Sequence, residues 1–347
     1  MTEAIAVDCE GMVEAERAET MTPMNAKRLR AGVAEVFIPV AMLLLLSVSP
    51  AHSINSKAGT SGAQFLKLGA GSRAGAMAEA YTAVADDVYA VYYNPGALTF
   101  LKTPELAAAH TEHFQGIRYE FVGFAYPWER GQDHSKQVLG GAIYNLGVSD
   151  IERRIDDTDQ PVGTFGAGDY AYNVTYARRL KERLGAGVTG KLIHQTLDSY
   201  SATAFALDAG IHYQVKPEAK RPVDLAFVIR NIGTKPSFAG VTDPLPAAVV
   251  GAVGYRPHPG VKLDLDLVKY RDTDFIFALG GEYKRELAPE LSGAFRMGYS
   301  THHKDNEGLD GLTLGVGFNF YRGGFDFAWV PYGELGNTFR YSLHLKF

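Results

Sequence analysis

Cysteine is nearly absent: Cys9 is the only one in 347 residues, so neither a disulfide framework nor a cysteine-based zinc site can be built. Beyond residue 53 there is also no apolar run near the ~20 residues that a membrane helix requires. Neither sign of charge dominates, with 34 Lys and Arg against 39 Asp and Glu, so nothing points to a nucleic-acid partner. Catalytic signatures are missing as well. Gly69-Ala-Gly71 and Gly315-Val-Gly317 lack the third glycine and the strand-to-helix setting of a dinucleotide site, and no Gly-x-Ser-x-Gly elbow occurs. The adjacent pairs Asp86-Asp87, Asp156-Asp157 and His302-His303 supply too few ligands for a metal. The expectation is a protein that is not an enzyme and carries no cofactor or metal.

What is present begins with an export signal. Lys27, Arg28 and Arg30 precede the apolar stretch Val33 to Pro50, which runs into small residues around Ala51 and Ser53, the order of a cleaved secretory signal. The competing reading, a membrane anchor, requires a longer span than Val36 to Val48, which contains Pro39. Residues 1–23 are acidic where such a signal is basic, and a start at Met21 or Met24 removes the conflict. The signal is therefore placed at 24–53, cut after Ala51 or Ser53.

Without a membrane helix, residence in a membrane requires a closed barrel, in which every backbone group is paired. Thirty-eight glycines and 12% aromatics suit curved strands and interfacial girdles. From residue 104 onward, fourteen alternating segments follow one another: 104–112, 117–128, 137–148, 167–178, 184–197, 201–215, 222–231, 247–256, 261–271, 275–284, 291–300, 310–321, 324–331 and 338–347. The even count and lengths near ten match tilted crossings. With both termini in the periplasm, connections after odd-numbered segments face outward, and the longest gaps (149–166, 232–246 and 301–309) all fall there; the gap 129–136 is longer than an inner turn should be. Aromatic residues cluster where even-numbered segments end, as at Tyr126, Tyr176, Tyr213 and Tyr283. Turning the more apolar side of each strand to lipid leaves Lys191, Asp208, Asp224, Arg230, Lys262, Asp264, Asp266, Glu282, Arg296, Asp326, Arg340 and His344 in the lumen. Mixed signs suit a network that holds a plug better than an ion-selective pore. In 117–128, Tyr119 and Phe121 are out of register with Val122, Phe124 and Tyr126, and a bulge would reconcile them. The last segment places Phe339, Tyr341, Leu343, Leu345 and Phe347 on one face, and its aromatic end resembles the signal by which such barrels are recognised for insertion by the barrel-assembly machinery.

Residues 54–103 differ in kind. Small side chains dominate, and a fourteen-stranded lumen needs filling that its own wall cannot supply. The run Phe65, Leu66, Arg73, Met77, Glu79, Ala80, Asp86, Asp87, then Asn94, Pro95, Gly96 before Leu98, resembles the PorV/PorQ family, within the wider class of barrels similar to the FadL long-chain fatty-acid transporters. The motif covers about 35 residues, while the strand layout extends the likeness along the chain. Gly96-Ala97 departs from the family's order of alanine then glycine. The resemblance implies a hatch entering from the periplasmic side, with Asn94-Pro95-Gly96 as a turn against the wall. The residues agree, since Pro95 fixes its own φ and restricts Asn94, and Arg73 is placed to pair with Asp86 or Asp87.

The expected fold is thus all-β: a transmembrane antiparallel barrel of about fourteen strands (104–347) in the outer membrane, with a small N-terminal plug (54–103). Two functions stay open. One is passage of small hydrophobic molecules through the plugged barrel, which the wider class implies; the other is a secretion role, binding exported proteins at the outer loops, which the PorV branch implies.

Overall fold

Strands that alternate at period two have two unlike faces, and in lipid they are stable only in a sheet without edges. A computed structural model describes residues 58–347 except 131–134, 156, 158, 239 and 304–310. The expected leader (1–23) and signal (24–53), with Cys9, lie outside the described residues, as does Asp156.

Fourteen antiparallel strands close a barrel, each beside its sequence neighbour, with the first paired to the last. They are β1 (Glu105–Glu112), β2 (Arg118–Arg130), β3 (Ser135–Arg153), β4 (Gly163–Lys181), β5 (Leu184–Leu197), β6 (Tyr200–Val215) and β7 (Val223–Gly233). A small separate hairpin follows, β8 (Ser237–Phe238) and β9 (Val241–Thr242). The wall resumes with β10 (Ala248–Tyr255), β11 (Val261–Tyr270), β12 (Phe275–Ala288), β13 (Leu291–Ser300), β14 (Leu312–Phe320), β15 (Gly323–Pro331) and β16 (Asn337–Lys346).

Two of the expected gaps close up. β3 and β4 continue well into 149–166 through an irregularity between Val148 and Ile151. The troublesome gap 129–136 shrinks because β2 and β3 both run into it. The connections after β1, β3, β5, β7, β11, β13 and β15 gather at one end of the barrel, the loop end; those after β2, β4, β6, β10, β12 and β14, with Phe347, gather at the other, the turn end.

Large apolar side chains stand exposed around the outside, among them Val122, Phe124, Val174, Phe205, Phe277 and Leu343. Opposite them the inward positions are buried, and they include charges on β11, β12, β13, β15 and β16 but aromatics on β2 and β3. The bulge expected in β2 does not exist: its pairing with β1 and β3 runs unbroken. Tyr119 and Phe121 face inward because apolar partners await them there, the Tyr119 hydroxyl donating to Leu68 O (3.1 Å) and Phe121 packing on Tyr89 (5.1 Å between centroids) and Tyr144.

Those partners belong to the segment before β1, which fills the lumen with short turns: 3-10 helices over Gln64–Lys67 and Pro95–Phe100, and single helical turns at Ser72–Gly75 and Ala90–Tyr93. Its Phe65, Leu66, Tyr81, Val84, Val88 and Tyr92 form one apolar core with Tyr119, Phe121, Tyr144 and Ile193 of the wall. The hatch begins at the loop end, where Gly62 N donates to Pro244 O at 2.9 Å, and leaves at the turn end, where Arg179 donates to Thr99 O at 2.6 Å. It does not simply enter from the turn end; its described part runs the length of the barrel.

Candidate functional site: the hatch and the lumen wall

Arg73 is the hub. Its Nε and Nη2 donate to both oxygens of Glu282 on β12 at 2.7 Å, while Nη1 reaches Asp86 (2.8 Å) and Asp87 (2.9 Å). A planar fork serves this better than an ammonium, because several carboxylates are bound along fixed directions. The chain of charge continues through the wall: Arg296 donates to Glu282 and to Asp326, each at 2.7 Å, and His344 stands 3.6 Å from Asp326. Lys262 closes the network on Asp86. Tyr81, which lies against the Arg73 guanidinium, gives its hydroxyl to Asp87 (2.7 Å).

Other wall charges bind hatch backbone instead of hatch charge. Asp264 accepts from Ala83 N (3.0 Å) and Val84 N (3.3 Å), and Asp266 from Thr82 N (3.3 Å). Arg230 donates to Tyr93 O at 2.6 Å and lies against the Tyr92 and Tyr93 rings. Arg340 bridges Glu79 (3.0 Å) and Gly69 O (3.4 Å). Because these side chains rise from rigid strands, they hold the irregular hatch backbone where it has no strand partner of its own.

Not every inward charge touches the hatch. Lys191 and Asp208 pair within the wall at 2.6 Å, with Asn231 as a third member. Asp224 pairs with Arg256 and lies 3.8 Å from His212.

Asn94 caps the 3-10 helix that Pro95 and Gly96 open and that packs on β5 and β6. Asn94 accepts from Gly96 N (3.0 Å) and donates to Thr82 O and Ile211 O. Pro95 presses so closely on the wall that a Cβ at Gly187 would lie 2.6 Å from its carbonyl. Met77 makes the same approach on the other side: a Cβ at Gly298 would lie 2.2 Å from its carbonyl carbon. Phe65 and Leu66 are buried near the loop end. Tyr341, Leu343, Leu345 and Phe347 are exposed on the outward side.

Several contacts carry no sequence motif. Ser342 accepts from Ser72 N (2.7 Å) and donates to Ser72 Oγ (2.8 Å), and Thr313 ties Ala76 O to Ala78 N. Both are small hydroxyls on inward strand positions, a pattern too common to single out. Lys67 and Gln64 bind Asp272 in the β11–β12 loop at 2.7 and 3.0 Å. Burial alone would raise the Asp272 carboxyl, but these partners hold it below the usual range. Between the hatch and the wall near the loop end lies a cavity of about 250 Å³, with Val268, Tyr270, Ile276 and Val330 among its apolar lining.

A family model described as "Type IX secretion system protein PorV" matches residues 51–248. No curated protein matches the sequence. Among solved structures, the deltaS2S3 mutant of the TodX monoaromatic hydrocarbon channel is similar with a TM-score of 0.53 and 9% identity, covering 80% of this chain and 99% of that one. The CymD monoaromatic hydrocarbon channel is similar with a TM-score of 0.53 and 12% identity, covering 80% and 98%. At such identities the likeness is one of fold.

Proposed function

The chain belongs to the PorV family, and on that premise we propose that it is a non-catalytic, gated passage of the outer membrane for small, largely hydrophobic molecules, opened by movement of the hatch. The observation that carries this reading is that the lumen is closed by a separate segment and not by the wall. A fourteen-stranded wall leaves space that only an inserted segment fills, and here that segment is held by hydrogen bonds and ion pairs, which can be exchanged for water. The cavity beside it gives a solute a first place to rest.

The buried serines offer a reversible lock, since Ser72 and Ser342 already touch through their hydroxyls and the one native cysteine, Cys9, lies in the expected leader. In the double variant S72C/S342C, oxidation should join the hatch to β16. Cells expressing it should take up an apolar naphthylamine dye slowly when oxidised and at the wild-type rate after reduction. Equal uptake in the two states would show that this part of the hatch does not gate the passage.

A second reading, service to protein export, draws on the role named for the family and on one feature of the wall. β3 to β6 rise past their neighbours at the loop end and carry exposed Leu197 and Tyr200 there. Loss of the protein would then retain exported proteins in the periplasm while dye uptake stayed unchanged.

A further inference from the structure

The cavity beside the hatch has a polar floor that the hatch network does not use up. Arg230 is buried yet makes no ion pair among the described residues; one terminal nitrogen, Nη2, donates to both the Tyr93 carbonyl and the Thr82 hydroxyl. Its Nε is buried without a hydrogen-bond partner in the protein, just behind the cavity surface, and the same holds for Arg340 Nε, the Tyr93 hydroxyl and Asp266 Oδ1. All four side chains line this one cavity. Buried polar atoms are rarely left unpaired, and several of them around one space mark a site shaped for something else. Three of the four are donors, two of them on guanidinium groups.

We propose that this cavity is a binding site for small organic acids with a compact apolar body, the carboxylate set against Arg230, Arg340 and Tyr93. A guanidinium without a carboxylate partner gains most from a ligand that brings one. Glu79 also lines the cavity, but its charge is met by Arg340 and Gly69 N. Asp266 keeps one oxygen for the backbone of Thr82, leaving the other to take a donor from a ligand that carries a hydroxyl. The volume, about 250 Å³, leaves room for an acid the size of hydroxybenzoate. Tyr270, Ile276 and Val268 supply the apolar wall for its body.

The inference deepens the passage reading by naming a solute class, and equilibrium binding separates the two. A barrel that binds the acid but moves no solute would sink the passage reading alone. Titration calorimetry of the full chain in detergent, with 4-hydroxybenzoate as the probe, should give saturable binding of one molecule per chain. The uncharged 4-hydroxybenzamide should bind at least about tenfold more weakly, the loss expected when a charged hydrogen-bond acceptor becomes neutral. Tyr93→Phe removes only an unpartnered hydroxyl and should weaken the acid several-fold without unfolding the barrel. Ile276→Trp fills the cavity from the wall and should abolish binding. Equal affinity for acid and amide, no saturable binding, or binding unchanged in both variants would overturn the proposal.

Discussion

Arg73 joins hatch to wall through carboxylates of two kinds: Glu282 and Asp87 are buried, while Asp86 is exposed and shared with Lys262. Replacing Arg73 by methionine keeps the length and removes the charge, leaving Glu282 with Arg296 alone and Asp87 with the Tyr81 hydroxyl and the Tyr89 N–H. Breaking a buried pair from one side costs about 3–5 kcal/mol, and unfolding in urea followed in lipid should show a loss of that order. The double change R73M/E282Q should recover part of it, because no unpaired carboxylate then remains at position 282. A second residue gives a pH dependence outside the membrane-crossing strands. His113, between β1 and β2, is pushed down to about 4, by burial first and by the Arg340 charge second. It is neutral in the fold and is protonated more readily in the unfolded chain, whose value lies near ~6.5. Its contribution is therefore intact above that value and is lost as the pH falls towards 4, by on the order of 3 kcal/mol. His113→Gln should flatten the acid side of the stability profile over that interval, and an unchanged profile would mean the imidazole already carries its proton in the fold.

At the scale of elements, the strands were legible because lipid on one side and a filled lumen on the other impose opposite demands on alternate residues. In β16, Leu343 is exposed and Ser342 buried, as the alternation from Thr338 to Phe347 requires. An arginine at Leu343 should cost ~2–4 kcal/mol in lipid if the site lies near mid-membrane, whereas His344→Arg meets the Asp326 carboxylate and should cost much less; equal folding yields for the two would contradict the facing. β2 needs no bulge, and the reason is physical. Period-two reading identifies the two faces, but it assigns the apolar one to lipid, and Tyr119 and Phe121 are apolar on the side that meets the hatch. The hatch itself has no period, and its path follows from close approaches that only the fold reveals. Gly298 is one: an alanine there collides with the Met77 backbone, so Gly298→Ala should destabilise by about 1–3 kcal/mol and make the turn around Met77 more open to protease.

For the whole molecule, the assignment of the loop end to the outside can be tested directly, because the described chain starts there. Gly59 is exposed with open space around it, and a short epitope inserted after it should bind antibody on intact cells. Labelling only after the outer membrane is broken would reverse the orientation. Between that point and β1 the chain descends past nearly every strand, tied by Arg340 and Ser342 on β16, Glu282 on β12, Asp264 on β11 and Arg230 on β7. A wall that sealed first would leave this segment to be threaded through a finished ring, desolvating each charge alone along the way. The end-to-end path thus carries information about time as well as space: the wall is expected to wrap a core already in position, with the seam between the first and last strands as the final stitch. Without residues 58–93 that stitch should form more slowly, which the delayed appearance of the compact, heat-modifiable band on a gel would record.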